Sequence, residues 1–283
     1  MIIWLASYPK SGNTWLRALI SSYYFSNNGN FNFDLLKQID SFPSARFFKS
    51  YPDKFEKPED TSKYWIKEQE KINEQNKIFF LKTHNALCKI NGNKFTNQDN
   101  TLAVVYIVRD PRNVITSISH HYQITIDEAL NFMKDKNRGI VTKENDRYIG
   151  FQPLLSWELH LKSWTENTLY PTHIIRYEDL ISDTKLEFEK LIMFIDKVTK
   201  SKNKFDKDKA EVCVKNCDFN NLKKLESTKG FDESMVKKGT DEKLKFFNLG
   251  KDNNYKNILE KKLINEMNTY YKSEIIKFKY NLS

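Results

Sequence analysis

Four short apolar runs, each breaking directly into a polar turn, constrain this chain more than any other feature. Residues 2–8 (Ile-Ile-Trp-Leu-Ala-Ser-Tyr) stop at Pro9 and Gly12, and residues 78–83, 102–108 and 172–177 repeat the pattern. Apolar runs of this length bounded by turn formers read as strands buried on both faces. Between them the period changes to that of a helix. Residues 15–25 carry Leu16, Leu19, Ile20 and Tyr23 on one face, and 184–195 carry Leu186, Leu191, Ile192 and Ile195. Further helices are expected over 113–122, 126–136 and 153–167, with two over 208–226 and a closing one over 258–278. Residues 26–77, polar and aromatic by turns with Pro43, Pro52 and Pro58, read as irregular with a short helix near Trp65. Residues 228–255 read as a loop. Strands alternating with helices predict an α/β fold, with a central parallel sheet flanked by helices in a single domain over 1–283.

Composition fits that reading and narrows the function. Of the 283 residues, 39% are hydrophobic and 29% charged, which suits a globular chain rather than a disordered one. The net charge of +9 comes mostly from lysines interspersed with Asp and Glu, so it implies a modest attraction for an anionic ligand rather than a nucleic-acid groove. Arginine is scarce: Arg17, Arg46, Arg109, Arg112, Arg138, Arg147 and Arg176 are the full set. Its planar fork matches phosphate, so each position draws attention. Cys88, Cys213 and Cys217 form neither a disulfide framework nor a metal set, and are expected to be free thiols in a reducing cytoplasm. The opening apolar stretch is too short for a signal peptide or a membrane span.

Ligands of parallel sheets bind beyond the carboxyl ends of the strands. After the first strand comes Tyr8-Pro9-Lys10-Ser11-Gly12-Asn13-Thr14-Trp15, opening a helix. A glycine turn at a helix N-terminus offers free backbone N–H groups and a positive dipole end to an anion, with Lys10, Ser11 and Thr14 adding donors. The longer loop that wraps a triphosphate is missing. After the third strand comes Arg109-Asp110-Pro111-Arg112-Asn113, opening a helix that carries Ser117. This is either a helix start with exposed arginines or a second anion site shared by Arg109 and Ser117. Lys82-Thr83-His84 brings an imidazole to the same rim, and Arg176-Tyr177-Glu178-Asp179 a phenol ring.

Together, in this order, these segments resemble the sulfotransferases that use 3′-phosphoadenosine 5′-phosphosulfate. The 8–15 turn looks like that family's 5′-phosphosulfate loop, and 106–117 like its 3′-phosphate segment. Lys82-Thr83-His84 is similar to the stretch holding its catalytic histidine, and Tyr177-Glu178-Asp179 to that of its adenine-side tyrosine. The resemblance implies a P-loop nucleotide-hydrolase-like fold and in-line sulfuryl transfer to the hydroxyl or amine of a small acceptor. His84 would be general base, and Lys10 would stabilise the departing oxygen with help from Lys82. The cofactor would lie against Lys10, Ser11, Gly12, Asn13, Thr14, Trp15, Arg109, Ser117 and Tyr177. No metal, nucleic acid or membrane enters this scheme.

The late loop departs from the family pattern. Where the family carries Arg-Lys-Gly and then Gly-Asp-Trp-Lys, this chain has Asn248-Leu249-Gly250 and Asn253-Asn254-Tyr255-Lys256. Gly250 with Lys251, or Lys237 and Lys238 folding back, are the expected substitutes for the lost phosphate grip. The departure keeps open an inactive nucleotide- or polyanion-binding protein of the same fold. An ATP-dependent kinase-like transferase is the third reading. The aromatic stretch 42–66 is expected either to line an acceptor pocket or to pack.

Overall fold

The computed structural model describes residues 1–282, Lys251 excepted. Nine strands are present among them: β1 Ile2–Ala6, β2 Asp40–Ser41, β3 Phe79–Thr83, β4 Lys89–Ile90, β5 Asn93–Lys94, β6 Thr101–Val108, β7 Gly139–Glu144, β8 Arg147–Pro153 and β9 Thr172–Arg176. Five form the central sheet in the order β2-β3-β1-β6-β9, with every neighbouring pair parallel. The predicted parallel α/β sheet is therefore present, and its four long strands fall where the apolar runs lie.

The side-chain period of two sorts each strand between two cores. Ile2, Trp4 and Ala6 of β1 join Val104, Tyr106 and Val108 of β6 on one face. Ile3 and Leu5 join Ala103, Val105 and Ile107 on the other. Helix Asn13–Phe25 covers the second face through Leu16, Leu19 and Ile20. Trp4 centres the first face: its ring packs on Phe42 and Phe95, and its indole N–H donates to Thr101 Oγ1 at 2.9 Å. Burying each such aromatic contributes about 1.5–3 kcal/mol or more.

Several expectations change. The stretch 42–66 is packing: Phe42, Phe47, Phe48, Phe55 and Trp65 are buried in the Trp4 core. The region before β3 also holds the two-residue edge strand β2 and the helix Trp65–Asn73. Residues 139–153, which carried no expected element before Pro153, form the antiparallel hairpin β7–β8, and the helix expected over 153–167 is Trp157–Thr165. The closing helix is two, Lys261–Tyr270 and Lys272–Lys277, divided at Tyr271, whose buried ring packs edge-on against Trp157. Cys213 and Cys217 are buried free thiols, as expected. Among the described residues no helix is long and apolar enough to cross a membrane.

Candidate functional site

The carboxyl ends of β1, β3, β6 and β9 open into one cavity of about 800 Å³. Lys10, Gly12, Asn13, Thr14, Trp15, Lys82, His84, Arg109, Ser117, Tyr177 and Gly250 all border it. Ser11 does not; it is buried behind the turn. Lys251 lies outside the described residues.

The turn after β1 is built on two left-handed residues, Lys10 (φ 66°) and Gly12 (φ 104°). At Gly12 glycine is required twice over: a Cβ would stand 2.5 Å from the Tyr177 ring. The Asn13 amide turns back, donating to Leu5 O at 2.9 Å and Ser7 Oγ at 3.2 Å. Its side chain therefore braces the turn rather than reaching the cavity. Lys10 Nζ lies 3.9 Å from the Phe246 ring centre. Burial, partly opposed by Glu233 and reinforced by Arg109 and Lys82, brings its pKa down to about 7.

His84 follows β3 beside the end of β1. Its Nδ1 is 2.8 Å from the Ser7 carbonyl, which can only accept, so Nδ1 carries the proton and Nε2 the lone pair. Burial, with the Lys82 ammonium, holds the imidazole well below its ordinary pKa. The neutral base is thus the resting form, at a lower pKa than the ordinary value near 6.5. Gln152 of β8 accepts from the His84 backbone N–H at 3.2 Å, so the hairpin that sequence reading missed also shapes this corner. Lys82 falls to about 8 through burial, against the pull of Glu233.

The two arginines of the Arg-Asp-Pro-Arg segment have separate duties. Arg112 is buried and structural: it forks onto Asp110 through Nε at 2.9 Å and Nη2 at 2.6 Å, while Asp110 caps helix Pro111–Tyr122 by accepting from the Arg112 backbone N–H. Arg109 faces the cavity. Its Nη1 donates to Ser117 Oγ at 3.3 Å and to Lys10 O at 3.2 Å, tying the two anion turns together. Its guanidinium stacks 4.2 Å from the Tyr177 ring centre, and its Nε is buried with no partner. Trp15 meets Tyr177 edge-on and donates to Cys217 O at 2.8 Å.

The late loop enters the site through Gly250, as expected, and through residues to which sequence reading assigned no role. Asn253 donates to Ser117 Oγ at 3.1 Å and to Asn113 O at 3.0 Å. Gly250 (φ 56°) leaves room for Phe219, whose ring a Cβ would meet at 2.6 Å. Glu233 accepts from Thr14 Oγ1 at 3.1 Å and from Arg17. Phe219, Glu233, Phe246 and Asn253 all border the cavity. Lys237 and Lys238 do not fold back: both are exposed, and Lys238 Nζ donates to Gln123 O. Ile140 lies opposite Gln152, the partner of the His84 backbone, and His121, Tyr122 and Ile126 also line the cavity. Burial, with Lys10, lowers His121 to about 3.

Comparison with known proteins identifies the fold and the family. Cytosolic sulfotransferase 14 of Arabidopsis thaliana is 25% identical over 235 residues, covering 80% of this chain and 62% of that protein. Sulfotransferase 1E1 of Bos taurus is 25% identical over 225 residues, covering 79% and 66%. The chain therefore spans roughly three-fifths to two-thirds of the length of these relatives. A solved mouse sulfotransferase, SULT7A1 complexed with PAP, superposes with a TM-score of 0.60 at 18% identity, over 97% of this chain and 84% of that one. A retinol dehydratase complexed with androsterone and PAP gives 0.58 at 17% identity, over 97% and 80%. Both share the fold. The sulfotransferase domain model matches residues 2–279, and the chain belongs to the sulfotransferase family.

Proposed function

We propose that this protein is a cytoplasmic sulfotransferase that uses 3′-phosphoadenosine 5′-phosphosulfate and passes the sulfuryl group in line to a hydroxyl or amine of a small acceptor. Residues 1–283 act as one sulfotransferase domain in this reading. The observation that carries it is the neutral His84, its lone pair on Nε2, in one cavity with both the Lys10–Thr14 turn and the Arg109–Ser117 corner. The residues fit the nucleotide: Arg109 Nε is a buried donor without a partner, and the Gly12 turn has no space for a Cβ. PAP in the related sulfotransferase structure supports the same assignment.

The bound co-substrate supplies an electrophilic sulfur and a nucleotide leaving group. Lys10 opposes the charge that grows on the departing oxygen, and Lys82 and Thr14 hold the 5′ end. Arg109 and Ser117 grip the 3′-phosphate, with Asn253 behind Ser117 and with Gly250 and Lys251 in place of the usual Arg-Lys pair. Trp15, Phe219 and Tyr177 face the base. His84 Nε2 takes the acceptor proton as the nucleophile closes in. Ile140, opposite Gln152 in the hairpin, and Tyr122 and Ile126, which line the same cavity, favour an acceptor whose reactive group sits on a largely apolar body.

The test is transfer of labelled sulfate from the co-substrate to a panel of phenols, hydroxysteroids, sugars and amines, with wild type and His84→Ala in parallel. Labelled product that falls about a hundredfold or more in the variant is expected. Nucleotide binding without transfer to any acceptor class would favour an inactive binding protein instead.

A further inference from the structure

Two lysines and an arginine converge on the anion corner, and a carboxylate from a distant loop sits among them. Glu233 Oε1 accepts from Arg17 Nη2 at 2.5 Å, Oε2 accepts from Thr14 Oγ1 at 3.1 Å, and Lys82 Nζ lies 3.8 Å away. Arg17 is buried on helix Asn13–Phe25, with its Nε unpartnered. A buried guanidinium without a counter-charge would be strongly destabilising. Lys10, at the same turn, lies within electrostatic reach of Glu233.

We propose that Glu233 is a positioning residue for sulfuryl transfer: it fixes the Thr14 hydroxyl and Lys82 ammonium at the anion corner and supplies the counter-charge that lets Lys10, Lys82 and Arg17 share it. This rests on the reading that Lys10, Thr14 and Lys82 hold the 5′ end of the nucleotide. Burial works against the carboxylate, but Lys82, Arg17 and the hydrogen bonds from Arg17 and Thr14 outweigh it and keep Glu233 ionised, at about 2. The remaining groups around the lysines offer little compensation. Arg109 adds positive charge beside Lys10 and Arg17 beside Lys82, while His84 and His121 are neutral. Glu226 helps Lys10, but its oxygens are taken by the backbone N–H groups of Phe246 and Phe247 and by Ser234. Without Glu233 both lysines discharge at lower pH. That matters because their values, about 7 and about 8, already lie near neutrality.

The experiment is calorimetric titration of 3′-phosphoadenosine 5′-phosphate into wild type, Glu233→Gln and Glu233→Asp from pH 6 to 9. The phosphates titrate identically in every case, so the ratio of affinities isolates the protein. At pH 6 the lysines are at their most charged in all three, and the ratio there is the reference against which the change at higher pH is read. As pH rises, Glu233→Gln should lose affinity earlier, by about tenfold relative to wild type for each unit by which a lysine pKa falls. Glu233→Asp, which keeps the charge, should follow wild type more closely. Parallel profiles would overturn the proposal. So would tighter binding by Glu233→Gln at every pH, which would mark the carboxylate as a mere occupant expelled by the nucleotide. Should Glu233→Gln not fold, Arg17→Met with Glu233→Gln removes the buried pair together. The pH at which Lys10 reacts with an amine reagent, read by peptide mass spectrometry, must then fall; an unchanged value overturns the proposal. If wild type itself fails to prefer the 3′-phosphorylated nucleotide, the functional reading fails with it. Preference in wild type alongside parallel profiles removes only the role of Glu233.

Discussion

In the proposed mechanism His84 owes its form as a base to a single carbonyl. Ser7 O fixes the proton on Nδ1, and burial beside Lys82 removes the second proton at neutral pH. Because the folded-state pKa is depressed, the imidazole stays basic as pH falls through the usual histidine range. The acid limb of kcat/KM should therefore lie well below 6.5, and a limb centred at 6.5 or above would reassign the base. His84→Ala should cut turnover about a hundredfold or more while leaving affinity for 3′-phosphoadenosine 5′-phosphate nearly unchanged, as expected of a group used in the transition state. Lys10, His84 and Arg109 were legible because each follows a strand end, Lys82 because it closes β3, and Thr14 and Ser117 because they ride on the helices those turns open. Glu233 and Phe246 were not. Their segment has no period and little apolar content, and they reach the cavity by tertiary packing. Arg17 carried a faint signal, a rare arginine on an otherwise apolar helix, but its partner lies 216 residues away.

At the scale of elements, long apolar runs declared themselves and short or polar strands did not. β2 has two residues, too few for any period. β7 is largely exposed and rich in charged and polar residues, so its pairing with β8 rather than its own composition makes it a strand. The single closing helix was expected because the apolar spacing runs on through Tyr271; the break follows from seating that ring on Trp157. In the proposed function the late loop closes the nucleotide site, and Gly250, packed on Phe219, is its fixed point. Gly250→Ala places a Cβ 2.6 Å from the Phe219 ring and in a left-handed conformation. We expect a loss of stability of about 1 kcal/mol or more together with weaker nucleotide binding, measured by urea unfolding and calorimetry. A variant with unchanged affinity would detach the loop from the site.

Across the whole molecule, the strand order explains why one cavity gathers every candidate. From β1 the chain builds one side of the sheet through β2 and β3, then crosses to β6 and β9, so the crevice opens where the connections diverge. The same architecture buries His160 behind the site. Tyr106 OH lies 2.9 Å from its Nδ1, and its Nε2 donates to His84 O at 3.1 Å; burial lowers its pKa to about 3. Above the unfolded value near 6.5 both states are neutral and stability is full. As pH falls from there towards 3, the unfolded chain takes a proton that the native one refuses, at a cost of up to about 1.4 kcal/mol per pH unit. The slope of unfolding free energy between pH 6.5 and 5 should therefore shrink by about one proton in His160→Asn, and an unchanged slope would place the uptake elsewhere.

The central claim is that this cavity is built for a nucleotide phosphorylated at the 3′ position, and one calorimetric comparison tests it without knowledge of the acceptor. Wild type and Arg109→Ala are titrated with 3′-phosphoadenosine 5′-phosphate and with adenosine 5′-phosphate. Wild type is expected to prefer the 3′-phosphorylated nucleotide by about tenfold or more. Arg109→Ala should forfeit about 1.5–3 kcal/mol of that binding, roughly a ten- to hundredfold loss, and little with the plain monophosphate. Equal affinity of wild type for the two nucleotides would contradict the claim.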